Sequence, residues 1–160
     1  MKALLPVIAF VLAAPFLHAR EGAETTAWGK LKWGMNRDQV QSLYPEAKPE
    51  KNESLSLGVV SILEFPFTPE VRFDKGSGAI LEVRLKGDAL TNDKIAEIVA
   101  LYSKKYGQPS HEENIGEAGR SLTWKGETII NIFYTMAVGD LPGMMLIRYE
   151  NPTSGTFESI

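Results

Sequence analysis

Val71–Gly107 reads VRFDKGSGAILEVRLKGDALTNDKIAEIVALYSKKYG. Val71 and Phe73 alternate with Arg72 and Asp74, and Leu81, Val83 and Leu85 alternate with Glu82, Arg84 and Lys86. Alternation with period two belongs to a strand that buries one face. Lys75-Gly76-Ser77-Gly78 between the two runs is turn chemistry, so the segment predicts an antiparallel hairpin with Glu82 on its wet face. The period then changes. Ile95, Ile98, Val99, Tyr102 and Tyr106 share one stripe at helical spacing behind Thr91, a good N-cap, with Leu90 and Ile95 placed as a hydrophobic staple. Gly107 and Pro109 end the run, which predicts a helix over 91–106.

Upstream, Asn36 caps a second helical pattern and Gln39 stands three residues later as in a capping box. Val40, Leu43 and Tyr44 share its face, and Pro45 stops it. Residues 46–56 (EAKPEKNESLS) read as a solvated loop and 57–65 (LGVVSILEF) as a strand. Phe65-Pro66-Phe67-Thr68-Pro69 reads as a stiff connection whose two aromatics point apart. Downstream, 108–120 reads as a polar loop, and 121–124, 127–136 and 144–150 as three strands. Residues 151–160 read as a tail.

The order is helix, three strands, helix, three strands. The expected fold class is α+β: two tandem helix-plus-three-strand units, 28–87 and 88–150, with antiparallel sheet covered by the amphipathic helices. Together they form a single domain over 20–150.

The N-terminus has a different character. Met1-Lys2 is a short positive start, 3–17 are apolar with Pro6 and Pro15, and Ala19 precedes Arg20. This is how a secretory signal peptide over 1–19 reads. The apolar run is shorter than the roughly 20 residues of a spanning helix. Its removal would take away Lys2 and His18, moving the net charge from −3 to −4 and leaving His111 as the remaining imidazole. The chain of 160 residues has no cysteine. That excludes disulfides, thiol nucleophiles, cysteine metal sites and an acylated cysteine anchor. The mild acidic balance with scattered lysines argues against nucleic acid as a partner.

Trp33-Gly34-Met35-Asn36 with Val40 and Leu43 resembles the opening of small exported bacterial proteins, and Lys105-Tyr106-Gly107-Gln108-Pro109 with Trp124-Lys125-Gly126 resembles other secreted domains. The style is similar to that of the BamE-like lipoproteins of the outer-membrane barrel assembly machinery and of the β-lactamase inhibitor protein. The resemblance implies helix-on-sheet repeats and a protein-binding role. It carries no functional residue across, and the cysteines of both relatives are missing.

His111 is the one candidate general base, flanked by Ser110, Glu112 and Glu113. Asp74–Gly78 lacks the further ligands of a calcium loop. No phosphate-cradling glycine motif occurs, and no cofactor or metal is implied. Candidate partner-binding residues are the apolar ones in loops: Phe65, Phe67, Trp28, Met136, Leu141 and Met144. The expected function is an exported, soluble, non-enzymatic binding protein of the bacterial envelope, in the periplasm or outside the cell, which holds a protein or envelope component through a sheet face, an edge or apolar loops. The alternative is a carboxylate-based or metal-assisted hydrolase using acids with His111, which requires an enclosed group of acids with a raised pKa. N-terminal sequencing of the exported protein checks the leader: a start at Arg20 is expected, and an intact Met1 would contradict it.

Overall fold

The computed structural model describes residues 26–153, so the expected signal peptide over 1–19, residues 20–25 and residues 154–160 lie outside the described residues. The elements in chain order are β1 (Thr26–Trp28), β2 (Leu31–Lys32), α1 (Arg37–Leu43), β3 (Lys48–Pro49), β4 (Leu55–Ser56), β5 (Val60–Ile62), β6 (Phe65–Phe73) and β7 (Ile80–Leu90). Then come α2 (Asn92–Tyr106), β8 (His111–Ile115), β9 (Gly119–Trp124), β10 (Ile129–Thr135) and β11 (Gly143–Glu150). Strands β1 and β2 pair with each other. The other nine form one antiparallel sheet in the order β3-β4-β6-β7-β11-β10-β9-β8, with β5 paired to β6.

This corrects the expectation of two tandem helix-plus-three-strand units. The described residues are mostly β, with one nine-stranded sheet, the β1–β2 pair and two α-helices. The reason is β11, which pairs with β7 from Gly143↔Leu90 to Glu150↔Glu82 and so joins the two halves into one sheet. The two helices are also unequal. Helix α1 has 7 residues and buries Val40, whereas α2 has 15 and buries Ile95, Ile98 and Tyr102. Short strands occupy the stretches read as loops, β3 and β4 within 46–56 and β8 within 108–120. Strand 57–65 is broken by a turn at Leu63-Glu64, and the supposed connection Phe65–Pro69 opens the nine-residue strand β6.

Both helix caps form as their residues dictate. The Asn36 side chain accepts from the Gln39 amide at 3.0 Å, while the Gln39 side chain accepts from the Asn36 amide at 2.9 Å. Thr91 Oγ1 accepts from the Lys94 amide at 3.3 Å, and Gly107 closes α2 at φ +83°. Asp74 closes the β6–β7 hairpin by accepting from the Ser77 amide, the Ser77 hydroxyl and the Gly76 amide. The Ser77 amide bond, then the Ser77 hydroxyl, hold the Asp74 carboxyl below its ordinary value.

One face of the sheet lies against α2. Register places Val71, Val83, Tyr149, Ile130 and Trp124 in one cross-strand row and Leu85, Ile147, Ile132 and Leu122 in the next. These side chains are buried with Ile95, Ile98 and Tyr102 of the helix. Two polar contacts orient α2: the hydroxyls of Tyr102 and Tyr149 meet at 2.6 Å, and Trp124 Nε1 donates to the Gly107 carbonyl at 2.8 Å. Burial pushes the Tyr102 phenol up to about 12 and raises Tyr149 as well.

Phe65 and Phe67 do not point apart. Residues two apart on a strand share a face, and their rings meet edge to face with centroids 6.0 Å apart. Phe67 is buried over Gly87, where an added Cβ would stand 2.6 Å from Phe67 Cε1. Gly87→Ala should therefore cost about 1–3 kcal/mol through overpacking, and Phe67→Leu in the same chain should recover part of it. Urea midpoints of the two single variants and the double variant check this. Additive losses would contradict the contact.

Candidate functional site

The opposite face of the sheet is turned away from α2, and its residues follow from the same alternation. Thr68, Glu70 and Arg72 come from β6, Glu82, Arg84, Lys86 and Asp88 from β7, and Met144, Leu146, Arg148 and Glu150 from β11, with Asn131, Phe133 and Thr135 of β10 beside them. Two rows matter most. Lys86, Leu146 and Phe133 lie across the sheet in one row, and Glu70, Arg84, Arg148 and Asn131 in the next.

Glu82 is not the solvated strand residue that alternation alone predicts. Its side chain is 4% exposed, beneath Arg84 at 31%, Arg72 at 34% and Arg148 at 38%. Arg72 Nη1 donates to Glu82 Oε1 at 2.5 Å, Arg84 Nη2 lies 2.6 Å from the same oxygen, and Arg148 Nε donates to Oε2 at 3.1 Å. Arg148 Nη2 also reaches Glu150 Oε1 at 2.5 Å, an ion pair without hydrogen-bond alignment. Burial works to raise the Glu82 pKa, but Arg84, Arg148 and Arg72 outweigh it and hold the carboxyl below its ordinary value.

Beside this network lies a shallow depression of ≈ 270 Å³, lined by Phe133, Met144, Leu146, Arg84, Lys86 and Thr68 among others. The β10–β11 hairpin leads into the strand that carries Met144. At the hairpin tip Val138 and Leu141 exchange both backbone hydrogen bonds at 3.0 Å around Gly139-Asp140. The Asn92 side chain clamps the base of this hairpin, accepting from the Ala137 amide at 2.7 Å and donating to its carbonyl at 3.3 Å. The tip therefore presents Leu141 (73% exposed) and Val138 (58%) on a fixed support, with Met144 (46%) further down the strand.

The six residues named from sequence are thus divided. Leu141 and Met144 stand exposed at and below the hairpin tip. Met136 is half-buried against the core, as are Phe65 and Trp28, and Phe67 is buried. Trp28 lines a separate pair of hollows of ≈ 710 and ≈ 420 Å³ at the C-terminal end of α2, which also share Lys105, Tyr106 and Tyr149. Sequence reading passed over Val138, Phe133, Leu146 and the three arginines. The available signal was Met144-x-Leu146-x-Arg148-x-Glu150, one face of one strand.

The hydrolytic candidates around His111 lie exposed on and beside the edge strand β8. His111 sits exposed on the edge strand β8, opposite Thr123. The Ser110 hydroxyl donates to the Thr123 carbonyl at 2.9 Å, and Glu112 pairs with Arg120 at 3.0 Å. Among the described residues no three His, Asp or Glu side chains gather as metal ligands, and no helix is long and apolar enough to cross a membrane. No family model, curated protein or solved structure matches this chain. The likeness to BamE-like proteins and the β-lactamase inhibitor protein therefore rests on the residues quoted for it.

Glu82 makes the acid limb of stability testable. A carboxyl whose folded pKa is depressed contributes stability that is present above its unfolded pKa and is lost as pH falls through the folded value. Wild type should lose stability as the pH drops below 4.5, the ordinary glutamate value. Glu82→Gln should be about 1–3 kcal/mol less stable at neutral pH, since its arginines are partly solvated and regain water. The variant should also show a shallower acid limb in urea titrations between pH 3 and pH 7 (about 1 unit steps suffice). Parallel limbs would remove Glu82 from the account.

Proposed function

We propose that the protein is an exported, soluble, non-enzymatic binding protein of the bacterial envelope, and that it holds another protein against the open face of its sheet and the β10–β11 hairpin tip. The observation that supports this most is the asymmetry of the sheet. One face is filled by α2, while Met144 and Leu146 stand on the other, and the tip of the hairpin that leads into β11 bears the exposed Leu141 and Val138. A patch of exposed apolar side chains rimmed by charge is the usual mark of an interaction surface. Asn92 supports it by holding the tip in one geometry, which lowers the entropy lost on binding. The absence of cysteine is compatible with an oxidising compartment, since the core needs no disulfide.

The hydrolase alternative gains little from the placement of its groups. Glu82, the buried acid, is held as a carboxylate by three arginines and is poorly suited to donate a proton.

Capture from an envelope extract tests the reading. Immobilised protein should retain a partner, Leu141→Glu with Met144→Glu should lose it at least about tenfold, and Lys104→Glu on α2 should not. Equal retention by the Leu141/Met144 variant would sink the assignment of this face.

A further inference from the structure

We propose that the segment held on the open face is an extended stretch of partner protein carrying an apolar residue and a carboxylate two positions apart. This rests on the reading above and adds the chemistry of the partner. Three observations carry it.

The first is vertical order. The carboxylates of the network lie deepest, Glu82 at 4% exposure and Glu150 at 16%, while the guanidiniums of Arg84, Arg72 and Arg148 lie above them at 31–38%. An approaching group meets positive charge before the negative charge beneath it, and at close range the nearer charge decides the sign.

The second is a surplus of donors. Three guanidiniums offer about fifteen N–H groups. Among the described residues their ion pairs are four: three to Glu82 and one to Glu150. Arg84 Nε is buried without a partner and is not among the donors offered, which are the outer N–H groups of the partly exposed guanidiniums. The remaining donors fit an acceptor with two oxygens, and a carboxylate meets a guanidinium in two parallel bonds.

The third is spacing. Leu146 and Arg148 are two residues apart on β11, and their cross-strand partners are Lys86 and Arg84. Same-face side chains on a strand repeat about every 6.8 Å, so an extended segment lying along β11 keeps step with this row spacing. Its apolar side chain enters the depression formed by Phe133, Met144 and Leu146, and its acid lies over Arg84 and Arg148. The direction is fixed by the acids at the rim. Asp88, paired with Lys86 and opposite Met144, and Glu70, opposite Arg84 on β6, both line the depression, so a carboxylate is favoured only farther along β11, on the Arg148 side of Arg84.

The blocked peptide acetyl-Thr-Phe-Thr-Glu-Thr-amide is the probe, titrated into isotope-labelled protein while backbone amide shifts are followed. It should move resonances of β7 and β11 around Lys86, Leu146 and Arg148. Replacing its Glu by Lys, or its Phe by Ala, should each weaken binding about tenfold. Arg148→Gln should abolish the preference for Glu over Lys and keep the preference for Phe over Ala. Should that variant not fold, the wild-type contrast between peptides, with its shift map, decides alone. Equal binding of the Glu and Lys peptides on the open face overturns the acidic partner while leaving the docking face standing. Shifts confined to another surface, or no shifts at millimolar peptide, overturn the inference outright. Failure of the docking face itself is read separately, from unchanged capture by the Leu141/Met144 variant.

Discussion

Across the central seam of the sheet, like charges face one another. The register of β7 on β11 sets Arg84 directly opposite Arg148 and Glu82 directly opposite Glu150. Direct like-charge pairs destabilise a sheet, and here two of them are consecutive on one face. The seam is tolerable because its diagonals are attractive. Glu82 accepts from Arg148 across the seam and lies in contact with Arg84 beside it, while Arg148 also reaches Glu150. On the other face the same register lays Leu85 on Ile147 and Val83 on Tyr149, all buried. The seam therefore depends on both faces at once: apolar area drives the pairing, and Glu82 prevents the open face from opposing it.

That constraint decides the chemistry the open face can offer. A buried carboxylate at the seam draws three guanidiniums from β6, β7 and β11 over itself and leaves their side chains partly exposed. Next to them, Leu146 and Phe133 form an apolar row that α2 cannot reach because it lies on the opposite side. A surface both apolar and charged is what the proposed recognition of an extended protein segment draws on.

Much of the local structure was legible in the sequence. Asn36 with Gln39, Thr91, Gly107 and Asp74-Lys75-Gly76-Ser77 carry their conformations in their own chemistry, and each forms the cap or turn expected of it. The assembly was not legible, for identifiable reasons. Strand β8 (HEENI) is exposed at all five residues, so an alternation test has nothing to detect. The turn between β5 and β6 uses Leu63 and Glu64, both at positive φ, where asparagine or glycine would have announced it. Phe65 and Phe67 share a face because Pro66 sits within a strand, paired with Ser61, and not within a loop. Glu82 shows the limit of binary patterning: alternation assigned its face correctly, but its burial depends on Arg72 and Arg148 from other strands. The pairing of β7 with β11, separated by a helix and three strands, has no short-range signal at all.

The site was half legible for the same reason. Leu141 and Met144 stood out as apolar residues in a glycine-bearing loop, and they are exposed. Phe67 stood out equally and is buried, because it lies within strand β6 with its ring packed over Gly87 of β7. The central claim is that one seam joins both halves of the chain, and amide hydrogen exchange tests it most directly. The amides of Val83–Leu85 and Ile147–Tyr149 should exchange slowest of all, at the free energy of global unfolding. Exchange in two separate units, with those seam amides among the fastest, would contradict the account.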